Sequence, residues 1–119
     1  MRVHRMFRHP TFYTAVFAAM LPSLIGVGTA AVTSKDYVVS QIGQAFNPAQ
    51  LAIKRGETVQ ILNDDGDLLH HVYLESSDFN FDSGDQGPGA KTAITFPKAG
   101  TFELLCAIHP KMRLVVTVK

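Results

Sequence analysis

Three features of this 119-residue chain predict an all-β fold, a Greek-key sandwich of two sheets preceded by an N-terminal segment outside it. From Tyr37 onward, Val, Ile, Thr and Phe fall in short runs separated by Gly, Asp, Asn and Pro. That is the punctuation of strands and turns, and several such runs at close spacing indicate a sandwich. No part of the same region carries a helical period of useful length. The first thirty residues have a different composition altogether.

That opening reads Met1-Arg2-Val3-His4-Arg5-Met6-Phe7-Arg8, basic and without an acid, and an apolar run from Phe12 to Ala31 follows. Small residues at Gly28-Thr29-Ala30 match the site a signal peptidase reads, so residues 1–30 are expected to be a signal peptide cut after Ala30, or after Ala31. The alternative is an uncleaved anchor, because about 20 apolar residues can just span a bilayer. In both cases the folded part, residues 31–119, is expected to be exported, for example to a periplasm. It carries eight basic and ten acidic residues, a net charge of −2. This balance gives no support for nucleic-acid binding, which needs a basic excess.

The predicted strands run over residues 37–42, 50–54, 58–62, 70–75, 92–96, 101–106 and 113–118. Residues 44–48 are expected to turn, and Arg55-Gly56-Glu57 to turn again. Asn63-Asp64-Asp65-Gly66-Asp67 is a polar turn of favourable composition, expected to be solvated. Residues 76–91, rich in Gly, Asp and Ser, form the longest irregular stretch. Phe79, Phe81, Phe96 and Phe102 are assigned to the core.

The chemistry concentrates in Cys106-Ala107-Ile108-His109-Pro110-Lys111-Met112. Cys106 is the only cysteine and cannot form an internal disulfide, so an exported thiol needs another reason to exist. Thiolate, imidazole and a weak thioether are the ligands of a mononuclear blue-copper site, which needs one more histidine. Strand alternation selects it. Cys106 shares a face with Phe102 and Leu104, and Met112 with Leu114, Val116 and Val118. His70 shares a face with Val72 and Leu74, whereas His71 falls with Tyr73 and Glu75. The expected metal ligands are therefore His70, Cys106, His109 and Met112, holding one copper ion. His71 is either a surface residue or a group beside the ligands.

The chain resembles a cupredoxin of the plastocyanin and amicyanin type. The resemblance rests on the Cys-x2-His-x2-Met spacing of Cys106, His109 and Met112, the short amicyanin-like form of the loop. Gly100-Thr101-Phe102 before the cysteine, His109-Pro110 and the Asn63-Asp64-Asp65 turn before His70 support it, over residues 37–119. It implies an eight-stranded sandwich with copper at one end, held by the same four residues. Two positions depart from the family pattern: His71 stands where an Asn usually braces the cysteine loop, and Ala107-Ile108 where Ser or Thr and Pro usually follow the cysteine.

Other sites fit less well. Structural zinc would need further cysteines, and a Cys–His protease would need a base-orienting group and an oxyanion hole. A calcium loop centred on Gly66 would place Ile61 and Val72 at ligand positions. The expected function is non-enzymatic: a soluble, monomeric blue-copper electron carrier that docks transient redox proteins near His109. A copper storage or delivery protein is the alternative, although the chain has no Met-rich or His-rich tract.

Overall fold

The computed structural model describes residues 35–119 together with Gly26 and Gly28. Apart from those two glycines, the expected signal segment, its cleavage point and the anchor alternative lie outside the described residues. No helix among the described residues is long and apolar enough to cross a membrane.

Among the described residues, nine strands form two sheets: β1 (Tyr37–Ile42), β2 (Ala45–Asn47), β3 (Gln50–Ile53), β4 (Thr58–Asn63), β5 (Val72–Leu74), β6 (Phe81–Asp82), β7 (Lys91–Thr95), β8 (Gly100–Cys106) and β9 (Arg113–Val118). One sheet has the order β2-β1-β4-β7 and the other β3-β9-β8-β5-β6. Neighbours are antiparallel except for β1 with β4 and β3 with β9. The chain crosses repeatedly between the sheets, and their facing sides enclose an apolar core.

Period-2 alternation governs what each strand buries. In β4, Val59, Ile61 and Asn63 point inward, and in β8, Phe102, Leu104 and Cys106 do. Leu114, Val116 and Val118 are the buried side of β9, and Met112 just before it is buried in phase with them. At the opposite end of β8 from Cys106, Phe79, Phe96 and Phe102 form a cluster with ring centroids 5.1–5.7 Å apart. Phe96 and Phe102 are buried, while Phe79 and Phe81 are partly buried against them.

Three elements differ from the sequence expectation. The expected turn at residues 44–48 contains β2, because the reversal is tighter and lies earlier. Gly43 and Gln44 have φ of 59° and 55°, and Ile42 pairs with Ala45. A two-residue hairpin loop with both residues at positive φ matches the strand twist. The irregular stretch at 76–91 contains the short β6, paired with β5. The strand expected at 70–75 begins only at Val72; His70 is held instead by an isolated bridge to Gln86.

Phe96 has no solvent exposure and packs on two other aromatic rings. Phe96→Ala is expected to lower the unfolding free energy by about 3–5 kcal/mol, read as a lower urea midpoint. Because Phe96 belongs to the distant cluster, the metal-site spectrum of the folded variant should be unchanged.

Candidate metal centre

Cys106 ends β8 opposite Val72, so its position is set by the ladder between β8 and β5. The His71 backbone N–H donates to its Sγ at 3.4 Å, and the Ala107 N–H donates to the His71 carbonyl at 2.9 Å. These contacts of the His71 backbone join the cysteine loop to the histidine segment without help from the His71 side chain. Beyond Cys106 the chain leaves the sheet and turns. The Met112 N–H donates to the His109 carbonyl at 2.9 Å, closing a short loop that leaves His109 half-buried at the rim.

His70 lies outside any strand, yet it is fully buried. Its N–H donates to the Gln86 carbonyl at 3.1 Å, and the Gln86 N–H donates back at 2.7 Å. The Asn63 side chain, projecting inward from the end of β4, donates to the carbonyls of Leu68 and Gln86. These bonds fix the backbone on both sides of the imidazole. His70 Nδ1 then lies 3.9 Å from Cys106 Sγ, and its Nε2 is 2.7 Å from Asp65 Oδ2.

On the other side of the sulfur, His109 Nδ1 is 3.7 Å from Cys106 Sγ. The two imidazole rings have centroids 4.9 Å apart, tilted by 57°. All three ligand atoms lie within 4.8 Å of one another. Donors bonded to one ion at about 2.0–2.3 Å and spread in a trigonal plane would be roughly 3.8 Å apart. The two sulfur–nitrogen separations match that requirement. One thiolate with two imidazoles in a trigonal set is a copper donor set.

Asp65 and His71 complete the surroundings. Asp65, expected to be solvated, is instead largely covered, with 11% of its side chain exposed. The Gly43 N–H bonded to its Oδ1 at 2.9 Å holds its pKa below the usual carboxylate value, and the hydrogen bond to His70 adds to this. The His71 ring turns away from the sulfur and bridges Asp82 at 2.7 Å and Asp85 at 3.1 Å. The bond to Asp85 raises the His71 pKa; burial opposes this in part, and Asp82 adds to the rise. Asp82 in turn is lowered, first by the Gly84 N–H and then by His71.

Of the four residues expected as ligands, the structure brings His70, Cys106 and His109 together. Met112 is buried at the end of the same loop. The strand argument for His70 over His71 reaches the right face by an incomplete route, since His70 precedes the strand. Asp65 and Gln86 escaped the sequence reading. The only available signal for Asp65 was an acid in a tight Asn-Asp-Asp-Gly turn five residues before the histidine.

This sandwich is similar to solved copper proteins. It superposes on the copper-containing nitrite reductase NirK from Thermus scotoductus SA-01 with a TM-score of 0.68 and 30% identity, over 80% of this chain and 25% of the reductase. This chain thus spans about a quarter of that enzyme's length. A reduced amicyanin variant aligns with a TM-score of 0.66 and 25% identity, over 75% of this chain and 87% of amicyanin. An oxidised amicyanin variant gives 0.66 and 25%, over 76% and 88%. No protein-family model and no curated protein matches the chain. The domain has the cupredoxin fold. Its His70–Cys106–His109 cluster is typical of a type 1 copper site, and the matched region takes in 87% of the reduced amicyanin chain but 25% of the reductase.

His70→Ala should abolish or strongly distort copper binding, measured by visible absorption after Cu(II) addition. His71→Asn should keep the site, because the contact with sulfur comes from the backbone. Its stability cost should stay at about 1 kcal/mol or less, since it removes only partly exposed ion pairs.

Proposed function

We propose that this protein is an exported electron carrier that moves single electrons between redox partners. The observation that carries the reading is the convergence of one cysteine and two histidines on one end of a cupredoxin sandwich. Bound copper would supply a one-electron Cu(I)/Cu(II) couple. His70, Cys106 and His109 would hold it, with Met112 as the weak axial ligand that the resemblance implies. A donor set fixed by two sheets and a short loop changes little between oxidation states, and small reorganisation favours fast transfer.

The protein's own residues divide the remaining tasks. Cys106 and His70 are buried and exclude water from the centre, whereas His109 reaches the rim. Ile108 and Pro110 flank His109 and are exposed, and Leu69, just before His70, is 49% exposed. Gln44, Ile108, His109, Pro110 and Lys111 line one shallow surface hollow. An apolar rim around a half-buried ligand suits a brief encounter, since it sheds water without demanding many fixed polar contacts. The weakly acidic balance of residues 31–119 and the N-terminal signal-like segment support an exported, soluble form rather than one bound to nucleic acid. Catalysis by NirK belongs to a chain of which this one matches only a quarter, and electron transfer is the function proposed for this domain.

Two experiments test the proposal. The protein loaded with Cu(II) should show an intense visible band from sulfur-to-metal charge transfer, and Cys106→Ser should lose it while remaining folded. Met112→Leu should keep the band and raise the reduction potential, because Cu(II) depends on the axial donor more than Cu(I) does. A colourless copper complex of the unaltered protein would overturn the electron-carrier reading.

The docking role is tested separately. Ile108→Glu should slow electron exchange with a redox partner, followed by stopped-flow absorption, and leave the potential nearly unchanged. Loss of colour in that variant would instead place Ile108 among the residues that build the centre.

A further inference from the structure

Asp65 is the acid that reaches the centre. Its Oδ2 faces His70 Nε2 at 2.7 Å, and its Oδ1 accepts from the Gly43 N–H at 2.9 Å. Its own N–H donates to Asn63 Oδ1 at 3.0 Å, which anchors its backbone to β4. Each carboxylate oxygen thus has a separate N–H partner, one in the ligand ring and one in the β1–β2 turn. An imidazole can offer Nδ1 as a donor only if its proton sits on Nε2, and the hydrogen bond at the far nitrogen decides this. A carbonyl could fix the proton equally well. A carboxylate adds a negative charge that strengthens the ring as a donor, which favours the more highly charged ion.

We propose that Asp65 is a positioning residue for the metal centre, holding His70 with its proton on Nε2 and its Nδ1 turned to Cys106, and biasing bound copper toward Cu(II). The second half rests on the copper reading above; the first does not. Asp65 also ties the centre to the surface. Gly43 and Gln44 form the turn that the carboxylate grips, and Gln44 lines the hollow beside His109. One carboxylate therefore spans a ligand ring and the turn bordering the docking rim.

Asp65→Asn is a discriminating change because an amide has only one acceptor oxygen for two N–H donors. With the amide oxygen kept by the Gly43 N–H, the NH2 faces His70 Nε2, which then must accept and carry its proton on Nδ1 instead. The control is Asp64→Asn, which removes the same charge one residue away. Asp64 is exposed and accepts from the Ser40 hydroxyl rather than from the ligand ring.

The first measurement uses the metal-free protein labelled with nitrogen-15 at histidine, so it does not depend on copper. Two-bond proton–nitrogen spectra should show His70 protonated on Nε2 in the unaltered protein and in Asp64→Asn. Asp65→Asn should move the proton to Nδ1, and Asp65→Ala, which offers neither donor nor acceptor, should give a mixture of the two forms. The second measurement is the reduction potential of the copper-loaded proteins. Asp65→Asn should favour Cu(I) about tenfold, which is about 59 mV for a one-electron couple, while Asp64→Asn should barely move it. The proposal is overturned if His70 keeps its proton on Nε2 in both Asp65 variants, or if Asp64→Asn shifts the potential as far as Asp65→Asn. An unaltered protein that takes up no copper, with the proton still moving as expected, would uphold the positioning role and refute the copper reading instead.

Discussion

A buried imidazole outside any strand is the constraint around which this domain is built. His70 has no ladder partners, so its backbone must be satisfied by something else, and an unpaired buried polar group costs about 1–3 kcal/mol. Gln86 supplies both backbone bonds. Asn63 then holds the loop that leads to His70, and the Gln41 side chain donates to that of Gln86 at 2.9 Å. Gln41, Asn63, His70 and Gln86 are the polar residues buried among those described. All four belong to this single network, and the rest of the interior is apolar. The sandwich therefore has a polar metal end and an aromatic end, the latter formed by Phe79, Phe96 and Phe102.

How much of this was legible in the sequence follows from the range of each interaction. Cys106, His109 and Met112 lie within seven residues, and their spacing is a property of one loop. The inward phase of Cys106 and Met112 follows from alternation along β8 and β9, a rule that operates residue by residue. His70 could be separated from His71 by the same rule because the bridge at His70 preserves the phase of Val72 and Leu74. By contrast, Gln86 lies sixteen residues from His70 in an irregular stretch, and nothing periodic joins the two. Asp65 looked like any acid in a polar turn. Its cover comes from the ring of His70 and the turn at Gly43, neither of which is visible from composition.

The hairpin at Gly43–Gln44 shows the same limit from the side of backbone geometry. Gln at positive φ is uncommon, so the sequence favoured a longer, looser turn at 44–48. The Asp65 carboxylate accepting from the Gly43 N–H helps to hold the tight form. The turn and the carboxylate thus fix each other across 22 residues, and neither is predictable without its partner. His71 is a related case. Its side chain replaces an Asn that usually braces the cysteine loop, but here backbone groups of His71 carry that brace and the ring is free to join Asp82 and Asp85.

The two histidines of the cluster are consequently supported by different parts of the fold. His109 is held by a short loop on the sheet that contains β8 and β9, and it sits at the rim. His70 is held by the polar network that reaches into the other sheet through Asn63 of β4 and Gln41 of β1. Access and tuning can then vary independently. In the proposed reading, residues around His109 would alter what the site meets, while residues behind His70 would alter how strongly the ring donates, and Cys106 is common to both. The β1–β2 turn is where this separation narrows, because Gly43 binds the carboxylate behind His70 and Gln44 borders the hollow at His109. That turn is joined to the ring of the buried ligand through a single carboxylate and its two hydrogen bonds.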